Sequence, residues 1–235
     1  MMDCRSIHAT KLLLAGALIF LACVSERAQA QGYAPEEVLR HMTAAEGFEV
    51  TLFASEPLVR QPVAIEFDDR GRLWVIQYLQ YPNPEGLKRV KVDRYSGTQY
   101  DRVPEPPPHG PRGADRITIL EDVDGDGRAD ASHDFVSGLN LTTGLAFGHG
   151  GVFVLNVPYL LFYPDRDGND VPDGDPEVLL TGFGMDDAHS VANSLTWGGR
   201  AESVCWSYLS VGRRKNPAPT GGGRRNGHPA RGQVS

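Results

Sequence analysis

Apolar and polar residues alternate with a period of two along several stretches of the chain, the pattern of half-buried strands. Residues 48–54 (FEVTLFA) alternate in this way. Residues 62–67 (PVAIEF) and 73–76 (LWVI) flank the acidic glycine turn Asp68-Asp69-Arg70-Gly71-Arg72, which predicts a β-hairpin. The outline returns at 144–147 and 152–155 around Gly148-His149-Gly150-Gly151. It begins once more at 193–198, where the pattern offers no second strand. One short helix is predicted from Pro35, with Glu36 and Glu37 at the positive end of its dipole.

A longer unit also repeats. Residues 117–139 run from an apolar strand through an acidic turn to a second strand, and residues 159–183 do the same. Asp122, Asp124, Asp126 and Asp130 align with Asp165, Asp167, Asn169 and Asp173 at a constant offset of 43 residues. A period of that length, with several short strands in each repeat, predicts β-propeller blades. Between the repeats, residues 81–115 hold seven prolines, at 82, 84, 104, 106, 107, 108 and 111. That density predicts a long surface loop inserted between blades, on a face where sites are often built.

The ends differ from this middle. Arg5 and Lys11 precede an apolar run from Leu12 to Val24, and Ala28-Gln29-Ala30 follows, so residues 1–30 are predicted to be a secretory signal peptide. The run is too short to span a bilayer, which needs roughly 20 residues, and no transmembrane helix is expected after cleavage. The protein is expected to be exported, to a periplasm or the cell surface. Leu21-Ala22-Cys23 is similar to the end of a lipoprotein box, so a lipid anchor on Cys23 is the alternative. Residues 31–198 carry 13 basic and 27 acidic residues, whereas 199–235 carry seven basic residues and one acidic. The acidic middle disfavours nucleic acid as a partner. The basic stretch 199–235 lacks periodicity and is expected to be disordered, the product of a frameshifted or truncated gene. The fold class expected is therefore all-β: a partial propeller of about three to four blades over 31–198, inactive by itself and prone to aggregate. Unclosed sheets expose strand edges.

The acidic repeats carry the first candidate chemistry. Asp122, Asp124, Asp126 and Asp130 occupy the first, third, fifth and ninth positions of a calcium loop, with the Arg128 carbonyl at the seventh. His133 stands at the twelfth, where a bidentate Glu is usual, so a weak site is expected. Asp165, Asp167, Asn169 and Asp173 form a poorer copy, with Asp170 in place of the turn glycine. The alternative is an acidic solvated turn. The second candidate is His189, preceded by Asp187. A neighbouring carboxylate can make a histidine a general base near neutral pH.

Residues 47–198 resemble the N-terminal propeller of the putative membrane-bound dehydrogenases of planctomycetes. The resemblance rests on Gly47-Phe48-Glu49-Val50, Ala54-Ser55-Glu56-Pro57-Leu58-Val59, residues 62–68, Gly71-Arg72-Leu73-Trp74-Val75, the loop 120–130, residues 179–184 and residues 189–198. That family is similar to soluble quinoprotein glucose dehydrogenases, propellers that use pyrroloquinoline quinone and calcium. The resemblance implies that His189, with Asp187, takes a proton from a sugar or alcohol hydroxyl while hydride passes to the quinone. Two functions are thus expected as alternatives: part of an exported quinoprotein-like dehydrogenase, or a non-catalytic calcium-stabilised propeller that binds carbohydrate or a protein partner.

Overall fold

A computed structural model describes residues 32–94, 97–198, 204–208 and 230–234. The expected signal peptide and Cys23 lie outside the described residues. The chain divides into two compact units, Met1–Val50 and Thr51–Ser235. In the first, α1 (Pro35–Arg40) forms as predicted, with Pro in its first turn, acids at its start and Arg40 at its end. It buries none of its residues, and the Tyr33 and His41 rings stack at 4.2 Å.

The second unit is nearly all antiparallel β-structure. β1 (Pro62–Phe67) and β2 (Leu73–Gln77) form the predicted hairpin. β3 (Arg89–Val92) and β4 (Thr98–Tyr100) then pair as a separate two-stranded ribbon. β5 (Asp115–Glu121) and β6 (Ala131–Leu139) complete the first sheet, in the order β1-β2-β5-β6. β7 (Thr142–Gly148), β8 (Gly151–Asn156), β9 (Tyr159–Pro164) and β10 (Glu177–Thr181) form a second four-stranded meander. β11 (Asn193–Trp197), β12 (Val204–Tyr208) and β13 (Ala230–Val234) form a third sheet. The two acidic repeats fall on equivalent turns, each between the third and fourth strands of its sheet.

Three expectations differ from what is observed. Residues 48–54 form no strand: alternation alone supplies no ladder, and residues 51–54 offer one long-range backbone bond, from Ala129 N–H to Phe53 O at 2.9 Å. The insert 81–115 is not all loop. Its prolines cluster at both ends and leave residues 85–103 proline-free, so that β3 and β4 can exchange hydrogen bonds. Within 199–235, expected to be disordered, Val204–Tyr208 pairs with β11 and Ala230–Val234 pairs with β12. The strand missing from the sequence pattern after Trp197 is therefore β12.

The sheets are held by face-to-face burial. Trp74, Ile76, Ile117, Ile119, Phe135 and Leu139 of the first sheet pack on Leu145, Val152, Val154, Leu161 and Tyr163 of the second. On the second sheet's other face, Phe153, Leu155 and Leu160 pack with Leu195 of β11. Burial on both faces explains why β8 and β9 read as near-continuous apolar runs. Each such side chain contributes about 1.5–3 kcal/mol on leaving water. At Gly148 an added Cβ would lie 2.2 Å from the Trp197 ring, so only glycine lets that indole close over the β7–β8 turn and donate to Phe147 O at 2.7 Å. The first strands β1, β7 and β11 of the three sheets neighbour one another, β1 and β11 each against β7.

Candidate functional site

A groove of about 830 Å³ runs along these first strands. Residues 61–66 of and beside β1, Thr143 to Leu145 of β7 and Asn193 to Thr196 of β11 form its walls, and Tyr78, Tyr81, Ala188 and His189 stand among its lining residues. Among the described residues the lining mixes aliphatic side chains with hydroxyl, amide and aromatic groups, and contains no lysine or arginine. Glu66 is the carboxylate among these described residues, and burial pushes it up.

His189 lies on the connection between β10 and β11, held from both sides. Thr98 N–H in β4 donates to Asp186 O at 2.5 Å, and Thr143 Oγ1 in β7 donates to Ala192 O at 2.5 Å. Asp187 Oδ1 accepts from the His189 backbone N–H at 2.9 Å and lies 3.0 Å from ring Nδ1. The first of these bonds leads in holding the Asp187 carboxyl below its ordinary range. A carboxylate only accepts, so Nδ1 carries the proton and Nε2 is left as an acceptor. The Tyr81 hydroxyl, from the start of the insert, faces that Nε2 closely and donates to it. The Tyr81 ring meets His189 edge-on at 5.3 Å and tilts against Tyr78 at 5.7 Å. The two residues singled out from sequence thus lie together, but the third member, Tyr81, is 108 positions away from His189 and carried no sequence signal.

A buried polar knot fixes Tyr81. Asp115 is fully buried and accepts from Gln80 N–H at 2.6 Å and Thr142 N–H at 2.9 Å. Asn140 accepts from Glu85 N–H at 2.8 Å and donates to Pro111 O at 2.6 Å. The two ends of the insert are therefore tied to the β6–β7 connection, with Tyr81 directly after Gln80. Burial raises the Asp115 carboxyl to about 6, against hydrogen bonds that lower it.

The structure places the acidic loops at a distance from this array in sequence and on turns of their own. In the first, Asp122, Asp124 and Asp130 each bring a carboxylate oxygen within 4.8 Å of the others. The loop coils because Asp122 accepts from Gly125, Asp126 and Gly127 N–H groups and Asp130 from Val123 N–H. Asp126 instead accepts from Arg128 N–H, and His133 Nε2 faces Asp170 at 3.6 Å. Three convergent carboxylates fit a hard divalent cation such as Ca²⁺. Among the described residues the second loop is not gathered in this way. Asp173 accepts from Arg166 N–H, Asp165 from Asn169 N–H, and Asp167 from the Asn169 amide.

Residues 34–222 match the family model described as Domain of unknown function (DUF7133). The chain belongs to this family. The DUF7133 match spans α1, both four-stranded sheets, the groove and Asp187, His189 and Tyr81, and it continues past Gly199, where the sequence pattern breaks. No curated protein and no solved structure matches the chain. Among the described residues no helix is long and apolar enough to cross a membrane.

Proposed function

We propose that this chain is a β-propeller module of an exported protein that binds a sugar or alcohol in the groove, with His189 set against one of its hydroxyl groups. The observation that carries the reading is the Asp187–His189–Tyr81 array beside a groove of neutral polar and aromatic lining. Two four-stranded meanders stacked face to face, with their first strands side by side, support the propeller. Hydroxyl, amide and tyrosine groups suit a neutral polyol, which needs many modest hydrogen bonds and apolar faces for its C–H surfaces. Asp187 holds the histidine tautomer, and because Tyr81 donates to Nε2, a bound hydroxyl would pass its proton to the Tyr81 oxygen as Tyr81 passes its own to Nε2.

Oxidation of that hydroxyl asks for more. As the proton leaves oxygen, a hydride must leave carbon for a two-electron acceptor. Pyrroloquinoline quinone is a polycarboxylate, and among the described residues the groove lining offers it no lysine or arginine, and a carboxylate in Glu66. The residues present do not fit that group, and no hydride step follows from them. That misfit favours the second reading, a calcium-stabilised module that binds without turnover, with Asp122, Asp124 and Asp130 as the carboxylates that would hold the ion. Calorimetric titration with a panel of neutral oligosaccharides and alcohols tests the groove. Binding that weakens in Tyr81→Phe and His189→Ala is the expected result, and a panel without a single binder overturns the proposal. Reduction of an artificial electron acceptor that depends on His189 separates turnover from binding alone.

A further inference from the structure

The insert carries a feature that the groove reading leaves unused. Residues 88–94 read Lys-Arg-Val-Lys-Val-Asp-Arg, so four of the 13 basic residues in 31–198 fall within seven positions. They lie on and beside β3, whose four residues are all exposed. Lys88, Arg89 and Lys91 have no carboxylate within ion-pair distance among the described residues, although 27 acidic residues share the same stretch of chain. Arg89 pairs with Tyr100 and Lys91 with Gln99 across a bulge in the ribbon. The ribbon is joined to the candidate site. Thr98 N–H of β4 bonds to Asp186 O, next to Asp187. Tyr100 and Leu87 pack with Tyr78 and Met185 at the same end of the groove.

We propose that this ribbon, beside the groove rather than in it, is a docking site for an acidic polysaccharide held by Lys88, Arg89 and Lys91. The proposal rests on the groove reading for the sugar class and adds the charge. An anionic polymer is repelled by a surface with twice as many acids as bases, so unpaired cations gathered on one ribbon confine it there. Basic runs of this kind are a general signature of polyanion recognition. A bilayer is the poorer occupant: Val90 and Val92 are the ribbon's exposed apolar groups in β3, while its Tyr100 ring is turned inward. Stable surface binding needs a larger apolar face.

The test is affinity of the purified chain for polygalacturonate, heparin, dextran and phosphatidylglycerol vesicles across a salt series. Polygalacturonate and heparin separate carboxylate from sulfate as the anionic group. The expected result is salt-sensitive binding to at least one of the two and little to dextran. Lys88→Gln, Arg89→Gln and Lys91→Gln combined should weaken that binding about tenfold, with melting temperature and neutral-oligosaccharide affinity unchanged. Binding to neither acidic polymer, binding unaffected by the triple change, or equal binding to vesicles overturns the proposal. Loss of neutral-oligosaccharide binding in the unaltered chain is a separate outcome, and it counts against the groove reading alone.

Discussion

At His189 the partner on one ring nitrogen decides what the other can do. With the Asp187 carboxylate on Nδ1, Nε2 is an acceptor facing Tyr81. Asp187→Asn offers Nδ1 either a carbonyl or an amide donor, so the tautomer is no longer fixed. Imidazole nitrogen shifts should show one tautomer, protonated on Nδ1, in the parent and a mixture in the variant. A parent protonated on Nε2 would remove the base from the proposed site. The carboxylates of the first acidic loop make a parallel case. Added calcium is expected to raise the melting temperature by on the order of 3 °C, as an ion at about ten times its Kd does for a domain of this size. Asp124→Ala should abolish the gain, and Asp173→Ala should leave it, because among the described residues only the first loop brings three carboxylates together. A gain that survives Asp124→Ala places the ion elsewhere.

The insert shows how a whole element depends on one buried carboxyl. Asp115 is raised to about 6 by burial, above the ordinary unfolded value near 4. The folded state therefore binds this proton more tightly, and the stability gained is full below about pH 4 and lost as pH rises through about 6. Asp187, Asp68 and Asp170 act in the opposite sense, since their lowered carboxyls lose stability as pH falls below the ordinary range. In Asp115→Asn the first slope should vanish. The parent-minus-variant stability should fall by on the order of 2 kcal/mol between pH 4 and pH 7, read from urea unfolding at several pH values. A flat difference would mean that Asp115 is ionised throughout. Elements of this kind also mark what the sequence could reveal. β1–β2 and β7–β8 were legible because a glycine turn separates alternating runs, and the 43-residue register correctly put both acidic loops on equivalent turns. The β3–β4 ribbon was hidden by prolines that flank it rather than interrupt it. β12 and β13 were hidden because neither carries an alternating pattern bounded by turn residues. Tyr81 could not be found at all, since its meeting with His189 depends on the Asp115 and Asn140 knot and on no local pattern.

Across the whole second unit, apolar stacking is supplemented by one charged clasp between sheets. Arg72 of the β1–β2 turn donates to both oxygens of Asp170, at 2.6 and 2.7 Å, and to Asp68 at 2.8 Å. Its side chain is 9% exposed and that of Asp170 14%. Asp170 leads in holding the Arg72 guanidinium charged, and Arg72 in turn holds Asp170 below the ordinary carboxylate range. For Asp68, burial alone would push the carboxyl up, but bonds from Trp74 and Arg72 outweigh it. The position that breaks the calcium pattern of the second loop is thus the one that ties it to the first sheet. Asp170 accepts a left-handed backbone, φ 67°, to do so. Asp170→Gly separates the two effects. Relief of the left-handed conformation should return about 1 kcal/mol. Leaving Arg72 with half its partners in a largely buried site should cost about 3 kcal/mol. The variant is therefore expected to be less stable by about 2 kcal/mol in denaturant unfolding. Arg72→Met should cost more, because both Asp68 and Asp170 lose their guanidinium partner. A stabilised Asp170→Gly would show that the clasp contributes less than the strain it imposes, and that apolar packing alone joins the two sheets.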